Sequence, residues 1–169
     1  MPKYRRGLLI GRFQPFHKGH RYLLLECAKL AEKLIIGIGT PLIKNRNTDP
    51  FSFEVRKAML EAVIKAEKLT GSVIKILPVY DFLDSDDKWY AEMIKAVGEF
   101  DVYFGNDEWT TGIFEKHGHT VGRFPFFKRN LYEGKKIRRL IETKGQWQER
   151  VPEYTISIVK SKCQNSNFK

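Results

Sequence analysis

The sequence predicts an α/β fold, an open parallel sheet of five strands with helices on both faces, and three observations carry that expectation. Short apolar runs recur at Gly7-Leu8-Leu9-Ile10, at Leu34 to Gly39 and at Val73 to Val79, separated by segments whose apolar residues fall three and four apart. The run Leu34-Ile35-Ile36-Gly37-Ile38-Gly39 is almost unbroken, which suits a parallel strand covered on both faces. Strand, helix and strand follow one another between Tyr4 and Gly39, the pattern of a βαβ unit with a right-handed crossover.

Tyr4 to Ile10 reads as the first strand. Arg21 to Lys33 reads as the first helix, with Tyr22, Leu23, Leu25, Cys27, Leu30 and Ala31 as its buried face. After the second strand, Thr40 to Pro50 is polar and rich in turn formers, a loop at the sheet edge where ligands of open α/β sheets bind. Phe51 to Leu69 is a helix closed by Thr70-Gly71, and Val73 to Val79 is the third strand. An acidic loop from Asp81 to Asp87 precedes a helix over Lys88 to Val97. Asp101 to Phe104 is the fourth strand and Glu108 to Lys116 a short helix. Thr120 to Phe124 is the fifth strand, Gly134 to Lys144 a helix, and a last helix lies near Pro152 to Lys162. Without a repeat or linker, these elements make one Rossmann-like domain over residues 1–162, followed by a polar tail over 163–169.

Composition narrows the function. The net charge of +10 favours acidic partners such as polyphosphates, RNA or anionic surfaces. Most of that charge reads as solvated helix faces, except the cluster Lys128, Arg129, Lys135, Lys136, Arg138 and Arg139. No apolar run approaches the roughly 20 residues of a membrane span, and Gly7 to Ile10 is too short for a signal-peptide core. The expected home is the cytoplasm, with no membrane partner. Cys27 and Cys163 have neither metal-ligand spacing nor a disulfide framework and read as reduced bystanders.

The chemistry concentrates in Gly11-Arg12-Phe13-Gln14-Pro15-Phe16-His17-Lys18-Gly19-His20, directly after the first strand. A turn carrying Gly and Pro followed by a helical pattern places His17 and His20 at a helix N-terminus, where unpaired backbone N–H groups and the dipole favour phosphate. Gly11 lets the backbone approach a ligand, Arg12 offers a fork to phosphate oxygens, and Gly19 keeps the path between the histidines open. His117 and His119, in a Gly-flanked turn, read as ordinary satisfied groups.

This string resembles the H-x-G-H signature of the nucleotidyltransferase superfamily, and in its full length it is similar to the archaeal-type nicotinamide mononucleotide (NMN) adenylyltransferases. The resemblance covers most of the chain. Asp49-Pro50-Phe51-Ser52 looks like the D-P-F-T/S segment of those enzymes. Pro78-Val79 with Asp81 and Trp89 resembles their mononucleotide pocket, in which a Trp stacks on the nicotinamide ring; core packing is the other reading of Trp89. Tyr103-Phe104-Gly105-Asn106 resembles their fourth-strand terminus, with Gly105 and Asn106 near adenine and ribose. The family's Ser-Gly-Thr-x-Ile/Val-Arg pattern appears as Glu133-Gly134-Lys135-Lys136-Ile137-Arg138, so Gly134, Ile137 and Arg138 match while Glu133 and Lys135 do not. Glu133 turns to solvent, helps hold a metal or signals a changed substrate; Lys135 offsets the lost hydroxyl. Thr48 stands where relatives carry an arginine, with Arg46 two residues earlier.

What the resemblance implies is adenylyl transfer, joining ATP and NMN to give NAD and pyrophosphate. His17, His20, Arg12 and Arg138 are the expected catalytic residues. Gly11, Phe13, Lys18, Gly105, Asn106, Gly134, Lys135 and Ile137 are expected around ATP, and Gly39, Arg46, Asp81 and Trp89 around NMN. Mg²⁺ is expected to arrive with ATP rather than in a protein-held metal site. A homo-oligomer is expected, a hexamer by family analogy, and nucleic acid is not an expected partner. The alternatives are a related enzyme acting on nicotinate mononucleotide, FMN or phosphopantetheine, and a non-catalytic nucleotide- or RNA-binding protein.

Overall fold

The computed structural model describes residues 2–41, 49–81 and 84–165. Its strands are β1 (Tyr4–Gly11), β2 (Ala31–Pro41), β3 (Val73–Asp81), β4 (Val102–Phe104) and β5 (Thr120–Gly122). The helices are α1 (Lys18–Leu30), α2 (Phe53–Ala66), α3 (Asp86–Val97), α4 (Glu108–Lys116), α5 (Gly134–Glu142) and α6 (Ile156–Asn165), with single 3-10 turns at Gln148–Arg150 and Glu153–Thr155. Every strand pairing is parallel, in the order β3-β2-β1-β4-β5. The chain therefore reverses its direction of travel across the sheet between β1 and β4, and a crevice opens at the carboxyl ends of those two strands.

Alternation along the strands divides the core in two. Leu8, Ile35 and Tyr103 face Trp89, Met93 and Phe114 of α3 and α4. Their neighbours Leu9, Ile36 and Phe104 face the other side, where α1, α2, α5 and α6 bury Leu24, Met59, Ile137 and Val159. Helices thus cover both faces of a five-stranded parallel sheet. Local chemistry sets several helix starts: Ser52 Oγ accepts from Val55 N–H (3.4 Å), Ser85 Oγ from Lys88 N–H (3.2 Å) and Asp107 Oδ1 from Thr110 N–H (2.8 Å).

Several boundaries differ from those expected, and each difference has a tertiary cause. α1 spans Lys18–Leu30 instead of 21–33, because Ala31 to Lys33 pair with β1 in the register Tyr4 opposite Ala31 and Arg6 opposite Lys33. Ladder hydrogen bonds override the helix preference of Ala-Glu-Lys there. α2 starts after Phe51, whose backbone N–H and C=O are both engaged by the Gln14 amide. β5 ends at Gly122 because Asn106 takes the backbone of Phe124 in the same way. The expected polar tail from 163 is helical as far as Asn165, and Cys163 packs partly against the core. Among the described residues no helix is long and apolar enough to cross a membrane.

Candidate active site

A cavity of about 260 Å³ occupies the crevice between β1 and β4, and its lining includes Gly11, Phe13, His17, His20, Gly105 and Gly134. The turn that leads from β1 into it is tightly built. Phe13 adopts a left-handed backbone (φ 52°), which folds its ring back over Gly11, where a Cβ would come within 2.7 Å of it. That ring stacks on Phe16 (centroids 5.6 Å apart) and meets the edge of His20 at 4.9 Å. Gly11 therefore makes room for the Phe13 ring.

His17 is the N-cap of α1 and His20 its third residue, and the two cap each other. His20 N–H donates to His17 Nδ1 and His17 N–H donates to His20 Nδ1, each at 3.3 Å, and the rings stack at 3.6 Å and 16°. This reproduces the reciprocal capping box with imidazoles in place of a hydroxyl and a carboxylate. Burial lowers the His17 pKa to about 4 and that of His20 well below its ordinary value, with His17 adding to the latter shift. Both rings are neutral at pH 7. A neutral imidazole that accepts at Nδ1 carries its proton on Nε2, so each ring holds one donor for a ligand. Gly19 supplies clearance, since a Cβ there would lie 3.1 Å from the His17 ring and 3.2 Å from Tyr132 Cβ.

A charged group lies beside the cavity. Arg12 forms an ion pair with Asp49, whose side chain is largely buried. Arg138 Nη1 donates to the Gln14 carbonyl (2.7 Å). Burial lowers the Arg138 pKa and nearby Arg12 lowers it further, but a guanidinium stays charged. Arg12 therefore lies within electrostatic reach of both Arg138 and Asp81. Burial raises the Asp81 carboxyl above the usual carboxylate range, with Arg12 the strongest opposing influence.

The remaining expected residues do not all reach the cavity. Trp89 is 1% exposed in the core, packed beneath the half-exposed ring of Trp109 at 5.0 Å. Trp109 thus covers the ring that is expected to meet the nicotinamide. The Trp89 Nε1 makes no hydrogen bond, although the indole N–H is near enough to Asp81 to oppose that carboxyl's shift. Ile137 is wholly buried in the core and packs α5 against it. Asn106 lines the cavity, with its amide held by Phe124, Nδ2 donating at 2.6 Å and Oδ1 accepting at 3.0 Å. Lys18 lines a separate groove of about 810 Å³. Lys135 is exposed outside the cavity lining. Gly39 lies under the Arg12 side chain, whose Cγ would be 3.6 Å from a Cβ at that position. Glu133 lines the cavity but pairs with Lys136 at 3.0 Å, which holds its carboxyl below the usual range. Arg46 lies outside the described residues.

Gln14 and Arg56 join the site from outside the residues expected of it. Gln14 Nε2 donates to Phe51 O (2.9 Å) and its Oε1 accepts from Phe51 N–H (3.0 Å), tying the β1–α1 turn to the start of α2. Arg56, 2% exposed, occupies the buried face of α2 with Met59, Leu60 and Val63. A cation at an apolar position of that helix was the available signal. Among the described residues no group of three or more His, Cys, Asp or Glu side chains is arranged to hold a metal.

A family model described as cytidylyltransferase-like matches residues 8–161. A nicotinamide-nucleotide adenylyltransferase of Methanothrix thermoacetophila is 32% identical over 155 residues, covering 92% of this chain and 89% of that protein. One from Halorubrum lacusprofundi is 30% identical over 154 residues, covering 91% and 85%. Among solved structures, a bifunctional NMN adenylyltransferase/ADP ribose pyrophosphatase from Francisella tularensis superposes with a TM-score of 0.82 at 22% identity. The match covers 98% of this chain and 51% of that one, so the chain spans about half that protein's length, and the likeness is one of fold. With a family model matched over 8–161 and relatives at 30% identity or more along nine-tenths of its length, the chain belongs to the cytidylyltransferase-like family, among the nicotinamide-nucleotide adenylyltransferases.

Proposed function

We propose that this chain joins ATP and NMN, giving NAD and pyrophosphate. The observation that carries the proposal is the stacked, neutral His17–His20 pair at the N-terminus of α1, with His17 buried and His20 partly buried, lining the crevice between β1 and β4. In the reaction, an oxygen of the NMN phosphate forms a bond to the α-phosphorus of ATP. The bond from that phosphorus to the α–β bridging oxygen breaks, and its electrons leave with pyrophosphate. A phosphate with a second pKa near 6 is mostly dianionic at neutral pH, so no general base is needed. The protein must supply alignment and donors where negative charge grows.

His17 and His20 meet the triphosphate through Nε2–H, and the start of α5 at Gly134 adds unpaired backbone N–H groups. Arg12 and Arg138 bring positive charge to the phosphates between the ATP and acceptor sides. Gly11, Phe13, Gly105 and the backbone at Asn106 shape the nucleotide cavity. Gly39 and Asp81 face the acceptor side, and a pyridine ring that reaches Trp89 displaces Trp109. Mg²⁺ arriving with ATP would supply charge neutralisation. Glu133, a carboxylate of the cavity lining, is paired with Lys136. We also read the protein as a cytoplasmic homo-oligomer, hexameric by family analogy, and sedimentation showing a monomer counts against that part.

The test is pyrophosphate release from ATP with a panel of acceptors: NMN, nicotinate mononucleotide, FMN and phosphopantetheine. NMN is expected to give the highest kcat/KM. No release with NMN, or a clear preference for FMN or phosphopantetheine, overturns the proposal.

A further inference from the structure

We propose that Arg56 is a positioning residue for the transfer, holding Arg12 in place by replacing the hydrogen-bond ladder where β1 and β2 come apart. The inference rests on the adenylyl-transfer reading above. The β1–β2 register ends with Gly11 opposite Ile38. The next residues along the two strands are Arg12 and Gly39, and their carbonyls converge on one nitrogen: Arg56 Nη1 donates to Arg12 O at 2.8 Å and to Gly39 O at 2.7 Å. Arg56 Nε donates to Ser52 O at 3.3 Å, anchoring the guanidinium to the first turn of its own helix.

A buried cation at this place needs a reason. A guanidinium taken out of water is costly unless it is paired, and among the described residues no carboxylate forms an ion pair with Arg56. The neighbouring positions on the same face of α2 are aliphatic or Met, so packing alone would be met by hydrocarbon. The guanidinium contributes what hydrocarbon lacks, a donor that spans two strand ends after their mutual pairing has stopped. Those ends carry Arg12, whose side chain crosses Gly39 and ends on Asp49. Its main chain is held by Arg56 and its head by Asp49, so releasing the main chain moves the head.

A double-mutant cycle tests this: kcat/KM for ATP and for NMN in wild type, Arg12→Ala, Arg56→Met and the double variant, with thermal midpoints measured on all four. Arg56→Met alone is expected to lose about 10²-fold, the scale of an ångström-sized misplacement. In the Arg12→Ala background the same change is expected to cost less than about twofold, the usual limit of additivity between independent sites. A loss of general stability would act equally in both backgrounds, and so would a direct electrostatic effect of Arg56. An equal fold-loss with and without the Arg12 side chain therefore overturns the proposal. If Arg56→Met does not fold, Arg56→Lys takes its place under the same criterion. If wild type turns over no NMN, the functional reading falls, and the same cycle is judged on ATP affinity.

Discussion

His17 links the fold to pH in a way that a single variant exposes. The residue is 7% exposed and burial brings its pKa from 6.5 to about 4. Above pH 6.5 the imidazole is neutral whether the chain is folded or not. As the pH falls below 6.5 the unfolded chain takes up a proton at this residue while the native ring stays neutral, so the unfolded state binds more protons and stability declines. The decline stops only below about pH 4, where the native ring is protonated too. At roughly 1.4 kcal/mol per pH unit of displacement, His17 alone accounts for about 3 kcal/mol of lost stability across that window. His20 works in the same direction. Asn in place of His17 keeps an N-cap acceptor without a titrating ring. Urea unfolding of wild type and His17→Asn from pH 7.5 to pH 4 should give curves that approach one another on the acid side, the variant gaining about 3 kcal/mol relative to wild type. Carboxylates titrate in both proteins and cancel in the difference. A difference that stays constant over the whole range refutes the buried, neutral imidazole.

Other expectations follow from the same geometry. His20→Ala removes one Nε2–H donor and half of the capping box. Pyrophosphate release should fall about 10²- to 10³-fold, while stability changes by about 1 kcal/mol, the usual worth of a cap; a near wild-type rate contradicts the assignment. Gly19→Ala puts a methyl 3.1 Å from the His17 ring and 3.2 Å from Tyr132 Cβ. It should lower kcat by about tenfold or more through displacement of the ring, and unchanged kinetics would show that the pair tolerates movement.

Much of the fold was legible because its signals are local. The near-continuous apolar run at Leu34 to Gly39 declared a doubly covered strand, and Glu108–Lys116 has the bounds expected of it because Asp107 caps it within its own first turn. The H-x-G-H string was legible for the same reason, since its two histidines lie three residues apart and complete one another's hydrogen bonds. Trp89 was ambiguous because its spacing suits a pocket wall and a core residue equally. Only the tertiary structure shows it buried, with Trp109 and Phe114 packed around it.

By itself, then, the order of residues determined the α/β alternation, the strand-to-helix turn and the placing of two imidazoles at a helix start, because caps, turns and periodicity act over a few positions. Only the tertiary structure decided where α1 gives way to β2, which polar groups stitch the crevice together, and which expected residues stay in the core. Those outcomes depend on partners far away in the chain. Gln14 meets Phe51 and Arg138, Arg56 meets Arg12, and Asn106 meets Phe124. Hydrogen bonds of that reach exist only after the sheet has brought the strand ends side by side.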